Sequence, residues 1–131
     1  MEKISPFLMF DGCAEEAINF YTGIFSKSDI KFIKRYLVGE AGTPGKVEVA
    51  VFSLNGQEFK CIDSVAKHDF TFTPALSLFV ECETEKEIDE AFEKLADGGE
   101  VFMPLTVYPF SNKFGWVADK FGVSWQLAFN T

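Results

Sequence analysis

Apolar and polar residues alternate in the segment that closes the chain. Val123, Trp125 and Leu127 are apolar and the residues between them are polar, so this run predicts a strand with one buried face. The preceding run, Asp119–Gly122, begins with a polar residue and ends with glycine, which is typical of a tight turn. Because another apolar run ends at Val117, the whole segment is predicted to be a β-hairpin.

The hairpin pattern occurs twice, which predicts an internal repeat. Matching residues of the two copies stand 66 positions apart: Gly56 and Gly122, Phe59 and Trp125, Cys61 and Leu127. A second match, at a shift of 70, relates the strand and helix that start at Leu8 to those that start at Leu78. Two copies are too few for a solenoid. The halves, approximately 1–66 and 74–131, are therefore predicted to be pseudo-repeats of one domain, each with the order strand, helix, strands.

Two amphipathic helices are predicted, one in each half. Apolar residues recur at helical spacing from Ala14 to Phe25, and Asp11 is placed to cap the first turn. In the second half, Thr84 and Glu87 have the spacing of a capping box, and the helix is predicted to stop before a glycine pair.

The other strands are predicted from alternation and turn residues. Asn55 and Gly56, a dipeptide typical of two-residue hairpin turns, join alternating runs on either side. Val101–Met103 is predicted to be a short strand. The next segment, Pro104–Asn112, is predicted to be a loop that could cover a pocket, because its aromatic residues are more than a solvated loop requires.

Composition and charge exclude some classes of partner. Sixteen of the 131 residues are Phe and 47% are hydrophobic, so some rings are expected to line a cavity or an interface. The net charge of −8 opposes binding to nucleic acid or to an anionic membrane. No apolar run approaches the length of a membrane-spanning helix.

The cysteines and the start of the chain predict a reduced, cytoplasmic protein. Cys13, Cys61 and Cys82 form neither a CxxC motif nor an even disulfide framework, and the first residues lack the pattern of a signal peptide. Cys61 and Cys82 fall on predicted strands without a basic partner. They are expected to be buried, inert thiols.

Several motifs resemble one known family. The run Gly115-Trp-Val-Ala-Asp-Lys-Phe-Gly-Val-Ser-Trp-Gln, together with residues 10–21, 54–59 and 80–89, is similar to the PhnB-like family. That family, often labelled 3-demethylubiquinone-9 3-methyltransferase-like, belongs to the vicinal oxygen chelate superfamily, which includes glyoxalase I and the bleomycin-resistance proteins. The resemblance implies an α+β fold of two βαβββ modules, whose mixed sheets form half-open β-barrels with the helices outside. It also implies a homodimer.

The resemblance raises the question of whether this chain binds a divalent metal ion. Superfamily enzymes hold a divalent ion with His and Glu side chains from the first and last strands of the modules. The matching positions here are Gln126, its repeat equivalent Lys60, and Phe7 and Ser77 or their neighbours. Since such a site needs imidazole or carboxylate donors, neither a metal nor any other cofactor is predicted.

Strand alternation predicts a ligand pocket on the faces turned away from the helices. Its expected residues are Phe7, Met9, Lys60, Ser77, Phe79, Ser124 and Gln126. A buried Lys60 would favour an anionic small molecule, and Glu58 is expected to point to the opposite face and leave it unpaired. The alternative, that these are surface residues of an exposed sheet face or an interface, stays open.

Other residues have simpler explanations beside possible functional ones. His68 lies in the predicted connection between the halves, close in sequence to Asp63, and could be a general base or a metal ligand. The simpler interpretation is an exposed loop histidine. Trp116 and Trp125 are expected in the core.

Two functional hypotheses remain. The chain has no glycine-rich GxGxxG turn for S-adenosylmethionine, so the methyltransferase label of the family is rejected as a function. The preferred hypothesis is a metal-free protein that binds a small molecule. The alternative is a metal-dependent lyase, isomerase or dioxygenase with unusual ligands.

Overall fold

Each half of the chain folds as one helix packed on one four-stranded mixed sheet. The computed structural model describes residues 1–131, and the chain divides into two units, Met1–His68 and Asp69–Thr131. Neither helix has the length and apolar content needed to cross a membrane.

The elements follow the same order in both units. In the first unit they are β1 (Phe7–Phe10), α1 (Ala14–Ile24), β2 (Ser28–Arg35), β3 (Val47–Leu54) and β4 (Gln57–Asp63). In the second unit they are β5 (Ser77–Cys82), α2 (Glu85–Ala96), β6 (Glu100–Tyr108), β7 (Ser111–Ala118) and β8 (Ser124–Phe129).

The two sheets have equivalent topologies. Their strand orders are β1-β4-β3-β2 and β5-β8-β7-β6, and in each the first strand lies parallel to the last while the other pairs are antiparallel. The predicted α+β fold of two βαβββ modules is therefore confirmed. Both sheets are open and neither closes into a barrel.

Strand register refines the predicted repeat. Phe7 lies opposite Lys60 in the first sheet, and Phe79 lies opposite Gln126 in the second. Lys60 and Gln126 are thus equivalent positions of β4 and β8. Their partners on β1 and β5, Phe7 and Phe79, stand 72 positions apart instead of the predicted 70. Because the two extra positions preserve strand alternation, the predicted faces are unchanged.

The start of α1 corrects the predicted cap. Cys13 is the N-cap residue and makes no side-chain hydrogen bond there. The Oδ1 atom of Asp63 instead accepts hydrogen bonds from the backbone N–H groups of Gly12 and Ala14, each at 2.9 Å. Asp63 reaches this place because parallel pairing sets it opposite Phe10, so the predicted cap by Asp11 is wrong.

The capping box of α2 is confirmed, with a small change. Thr84 Oγ1 accepts from the backbone N–H of Glu87 at 3.0 Å, and Glu87 Oε1 accepts from the backbone N–H of Glu83 at 2.9 Å. The returning bond therefore goes to the residue before the N-cap instead of the N-cap itself.

The predicted loop after Met103 is wrong, because those residues extend a strand. β6 continues to Tyr108 and pairs with β7 across a two-residue turn at Pro109 and Phe110. Pro104 is compatible with β6 because this strand lies at the sheet edge and its register is irregular on both sides of Met103.

Candidate functional site

The face of the second sheet that points away from α2 carries the candidate site. Along β8, Trp125 and Leu127 alternate with Ser124, Gln126 and Ala128, which point to the other face, and of these three only Gln126 is partly exposed. On β7, Gly115 faces Phe92 of α2, so its neighbours Phe114 and Trp116 also belong to the open face.

This open face forms a pocket of about 410 Å³. Its lining residues come from β5, β6, β7 and β8, from the β6–β7 turn and from the residue after β8. None of them carries a charge: they are Phe79, Met103, Phe110, Ser111, Phe114, Trp116, Gln126, Ala128 and Asn130.

Aromatic rings form one wall of the pocket. Phe110 packs edge-on against Phe114, with ring centroids 5.0 Å apart, and Tyr108 stacks on Phe110 at 5.6 Å. Phe79 approaches Phe114 from β5 at 6.5 Å. Phe79 and Phe110 remain more than half exposed, so their faces are accessible to a ligand.

A short hydrogen-bond network forms the polar part. The indole Nε1 of Trp116 donates to Ser124 Oγ at 2.8 Å, and Ser124 Oγ lies 2.7 Å from Ser77 Oγ. Gln126 Nε2 donates to Ser77 Oγ at 3.3 Å. The network therefore fixes the amide of Gln126 and the ring of Trp116 at the pocket surface.

Asp119 has a structural role behind this face. Its Oδ2 atom accepts from the indole Nε1 of Trp125 at 2.8 Å, while Oδ1 accepts from the backbone N–H groups of Phe121 and Val123. Trp125 is in the core as predicted, but Trp116 is half-buried and lines the pocket, so its assignment to the core is wrong.

The seven predicted site residues divide between the two units. Four lie on the open face of the second sheet, where register pairs Ser77 with Ser124 and Phe79 with Gln126. Gln126 and Phe79 line the pocket, and the two serines form the network beside it. The other three, Phe7, Met9 and Lys60, lie on β1 and β4 of the first sheet.

The surroundings of Lys60 differ from the prediction. Phe7 and Lys60 are both exposed, so the ammonium of Lys60 is not buried within its unit. Glu58 stands two positions from Lys60 and therefore shares its face. A hydrogen bond from Lys3 lowers the pKa of Glu58, and the charges of Lys31 and Lys60 act in the same direction. The expectation that Glu58 points away was wrong.

The residues present do not suit the divalent metal that the superfamily implies. No cluster of three or more His, Cys, Asp or Glu side chains could hold an ion. At the strand positions in question the side chains are Phe7, Lys60, Phe79 and Gln126, which supply one ammonium, one amide and no anionic donor.

Asp63 and His68 do not form a metal site together with other ligands. Both carboxylate oxygens of Asp63 accept backbone hydrogen bonds, because Oδ2 takes the N–H of Val47 at 2.9 Å. His68 is exposed at the end of the first unit.

The buried cysteines are poor nucleophiles. Burial raises the pKa of Cys61 to about 12, with a smaller contribution from the negative charge of Asp63. Burial likewise raises the pKa of Cys82 to about 12, and Glu87 adds to the effect. Both thiols are therefore protonated at neutral pH.

Sequence reasoning missed most of the pocket wall. Phe114 and Trp116 alternate along β7 with Gly115 and Val117, and this strand period could have placed the two rings on one face. The aromatic content of residues 104–112 indicates a pocket, but these residues belong to β6, the turn and the start of β7 and not to the predicted loop. Asn130 gave no signal, because it reaches the pocket only through the path of the chain after β8.

The paired βαβββ modules and the open sheet face define the class: this is a protein of the vicinal oxygen chelate superfamily. Within it, the chain belongs to the PhnB-like family, since residues 2–128 match the family model described as 3-demethylubiquinone-9 3-methyltransferase. The description is a family label and establishes no activity.

One solved structure of high identity supports the same assignment, and a second, at lower identity, shares the fold. A putative 3-demethylubiquinone-9 3-methyltransferase, PhnB protein, from Bacillus cereus is 60% identical, with 98% of this chain and 99% of that chain covered and a TM-score of 0.96. A protein from Pseudomonas aeruginosa is 23% identical, with 99% and 98% covered and a TM-score of 0.78.

A more distant structure shares the fold. The fosfomycin resistance protein FosX from Listeria monocytogenes, solved as a mutant with Mn(II) and 1S,2S-dihydroxypropylphosphonic acid, is 15% identical. The similarity covers 100% of this chain and 94% of that chain, with a TM-score of 0.66. No match is found among curated proteins.

Proposed function

We propose that the protein binds a small molecule in the pocket on the open face of the second sheet, without a divalent metal. The observation that carries this proposal is the uncharged pocket of about 410 Å³, in which accessible aromatic rings surround a fixed amide. Small-molecule sites commonly have volumes of about 300–1,000 Å³ and combine apolar walls with a few oriented polar groups.

The metal-dependent alternative has less support. FosX was solved with Mn(II), but its similarity at 15% identity concerns the fold alone. Ammonium and amide groups at Lys60 and Gln126 do not replace the anionic and imidazole donors that a divalent ion requires. Elemental analysis of protein purified without chelator is expected to find well below one transition-metal ion per chain. A value near one would favour the alternative.

Binding at the pocket can be tested with the two tryptophans as internal probes. Trp116 lines the pocket and Trp125 is 1% exposed, so a pocket ligand should shift the indole N–H signal of Trp116 more than that of Trp125. We expect a fragment screen by nuclear magnetic resonance to give such ligands. A screen in which no compound moves the Trp116 signal selectively would contradict the proposal.

The variant Phe79→Ala tests ligand binding at the same pocket by mutation. Loss of one aromatic wall should weaken a pocket ligand about three- to tenfold, the equivalent of about 0.6–1.4 kcal/mol. Phe32→Ala is the control, because Phe32 is 53% exposed, close to the 57% of Phe79, but lies in β2 of the first unit. Equal losses in both variants would show that the second-sheet pocket is not the site.

The preference for an anionic ligand stays a prediction tied to Lys60, but without the buried, unpaired ammonium on which it depended, because Lys60 is exposed and shares its face with Glu58. It concerns the first sheet, where Lys60 faces solvent beside Phe7. This preference is tested by measuring the affinity of a small anion for the native chain and for the Lys60→Met variant. Equal affinities would contradict it.

A further inference from the structure

We infer that the ligand of the second-sheet pocket is an uncharged ring compound carrying an O–H or N–H group that donates to Gln126. The inference rests on the proposed function and adds the chemical class of the ligand. Three observations carry it: the charge of the second unit, the direction of the hydrogen bonds around Ser77, and the aromatic wall.

Charge makes the second unit unfavourable for an anion. Residues 69–131 contain eleven Asp and Glu against four Lys, a net charge of −7, whereas residues 1–68 account for the remaining −1. Five of these acids and two of these lysines belong to α2, on the other face of the sheet, and act on the pocket only at long range. Glu81, exposed and paired in register with the pocket residue Ala128, is an acidic neighbour on the same face.

No lysine of the second unit offsets these charges at the pocket. Lys86 and Lys94 belong to α2, and Lys113 forms ion pairs with Glu85 and Asp89 of the same helix. Lys120 lies in the turn between β7 and β8. An anion in the pocket would thus lose water without gaining a cationic partner.

The pocket is also unfavourable for a cation, because its lining contains no carboxylate partner. No carboxylate lines the pocket, so a cation there would contact ring faces and one amide oxygen, and the charge of the exposed Glu81 would act on it only through screening solvent. An uncharged ligand avoids this cost of desolvation.

The hydrogen-bond network sets which polar group faces the ligand. An indole nitrogen only donates, so Ser124 Oγ accepts from Trp116 and can donate its own hydroxyl hydrogen bond to Ser77. Ser77 in turn donates to the carbonyl of Pro74, at 3.4 Å, and accepts from Gln126 Nε2. The amide oxygen of Gln126 is left as an acceptor for the ligand.

Asn130 provides a second, weaker contact at the rim. Its Oδ1 atom accepts from the backbone N–H of Asn112 at 2.9 Å and from Ser111 Oγ at 3.1 Å. The amide N–H groups of Asn130 therefore remain available to a neutral oxygen. A hydroxyl group on a ring satisfies both kinds of contact, since it donates and accepts.

Four naphthalene probes of similar shape separate these features. They are 2-naphthol, which donates; 2-methoxynaphthalene, which only accepts; 2-naphthoate, an anion; and 2-(aminomethyl)naphthalene, a cation at neutral pH. Calorimetry on the full chain should rank 2-naphthol first, about three- to tenfold tighter than 2-methoxynaphthalene, the ratio expected for one net hydrogen bond. The anion should bind most weakly.

Gln126→Met tests the acceptor directly, because it keeps the length of the side chain and removes the amide. It should reduce the ratio between 2-naphthol and 2-methoxynaphthalene to about one. Gln57→Met is the control, since Gln57 is an exposed glutamine in β4 of the first unit. It should leave the ratio unchanged.

The outcomes distinguish this inference from the proposed function. The inference is wrong if the anion, the cation or the ether binds at least as tightly as 2-naphthol, or if Gln126→Met preserves the ratio. It is also wrong if no naphthalene binds while other fragments shift the Trp116 signal, and in that case the proposed function stands. If neither a naphthalene probe nor any other fragment shifts the Trp116 signal selectively, the proposed function itself is contradicted.

Discussion

Asp63 holds together parts of the first unit that are distant in sequence. One carboxylate accepts the backbone N–H groups of Gly12, Ala14 and Val47, and so connects the start of α1 to the start of β3. Asp63 is 3% exposed, and a buried carboxylate with three donors is satisfied without a metal or a substrate. These hydrogen bonds give Asp63 a structural role that does not depend on its proximity to His68 in sequence.

Asp63→Ala is expected to lower the free energy of unfolding by about 2–5 kcal/mol, because the helix loses its cap and buried N–H groups lose their acceptor. Urea denaturation followed by circular dichroism measures the change. Asp11→Ala is the matched control, since Asp11 is exposed, and its effect should stay within about 0.5 kcal/mol. The reverse order of effects would restore Asp11 as the cap.

At the scale of elements, a glycine sets the distance between α2 and its sheet. A Cβ atom added to Gly115 would overlap the ring of Phe92, with Cε2 much closer than a carbon contact allows. Phe92 is 8% exposed and packs in the core, so its ring has little room to move. The open face of β7 depends on this packing, because Phe114 and Trp116 flank Gly115.

Gly115→Ala should therefore destabilise the protein by about 1–3 kcal/mol through overpacking. Gly23→Ala should have the opposite sign and stabilise it by about 0.5–1 kcal/mol, because Gly23 lies in α1 with no heavy atom within 4 Å of a new Cβ. Thermal denaturation of the two variants and the native chain measures these changes in stability. If Phe92→Leu did not relieve part of the defect in Gly115→Ala, steric contact with the ring would not be its cause.

At the scale of the whole molecule, both sheets leave surface that another chain could cover. Each open sheet has two edge strands, and large apolar residues such as Phe7, Phe79 and Phe110 are more than half exposed. Edges and apolar patches of this kind are commonly covered in oligomers. The homodimer implied by the family resemblance remains a proposal that these features support.

Sedimentation velocity at micromolar concentration should show a species of twice the chain mass of 14.7 kDa. A specific interface of this kind should bury at least about 1,000 Å² of surface. A single species of 14.7 kDa at micromolar concentration would rule out the dimer.

The sequence by itself determined the elements whose signals are local. The capping box at Thr84, the turns at Asn55 and Asp119, and the alternation in β8 each depend on neighbouring residues, so propensity and period were sufficient. The repeat of these signals then predicted two halves with the order strand, helix, strands, and the family resemblance implied two βαβββ modules. Strand alternation also assigned Phe79 and Gln126 to the face that carries the pocket.

Tertiary structure alone decided the features that depend on pairing between distant segments. Parallel pairing of β1 with β4 made Asp63 the helix cap, and pairing with β7 kept residues 104–108 in a strand despite Pro104. The pocket itself combines four strands, and its polarity depends on a hydrogen-bond chain from Trp116 through Ser124 to Ser77. The pairing of Phe10 with Asp63 and the contact of Ser77 with Ser124 join residues tens of positions apart, and no local pattern in the sequence encodes them.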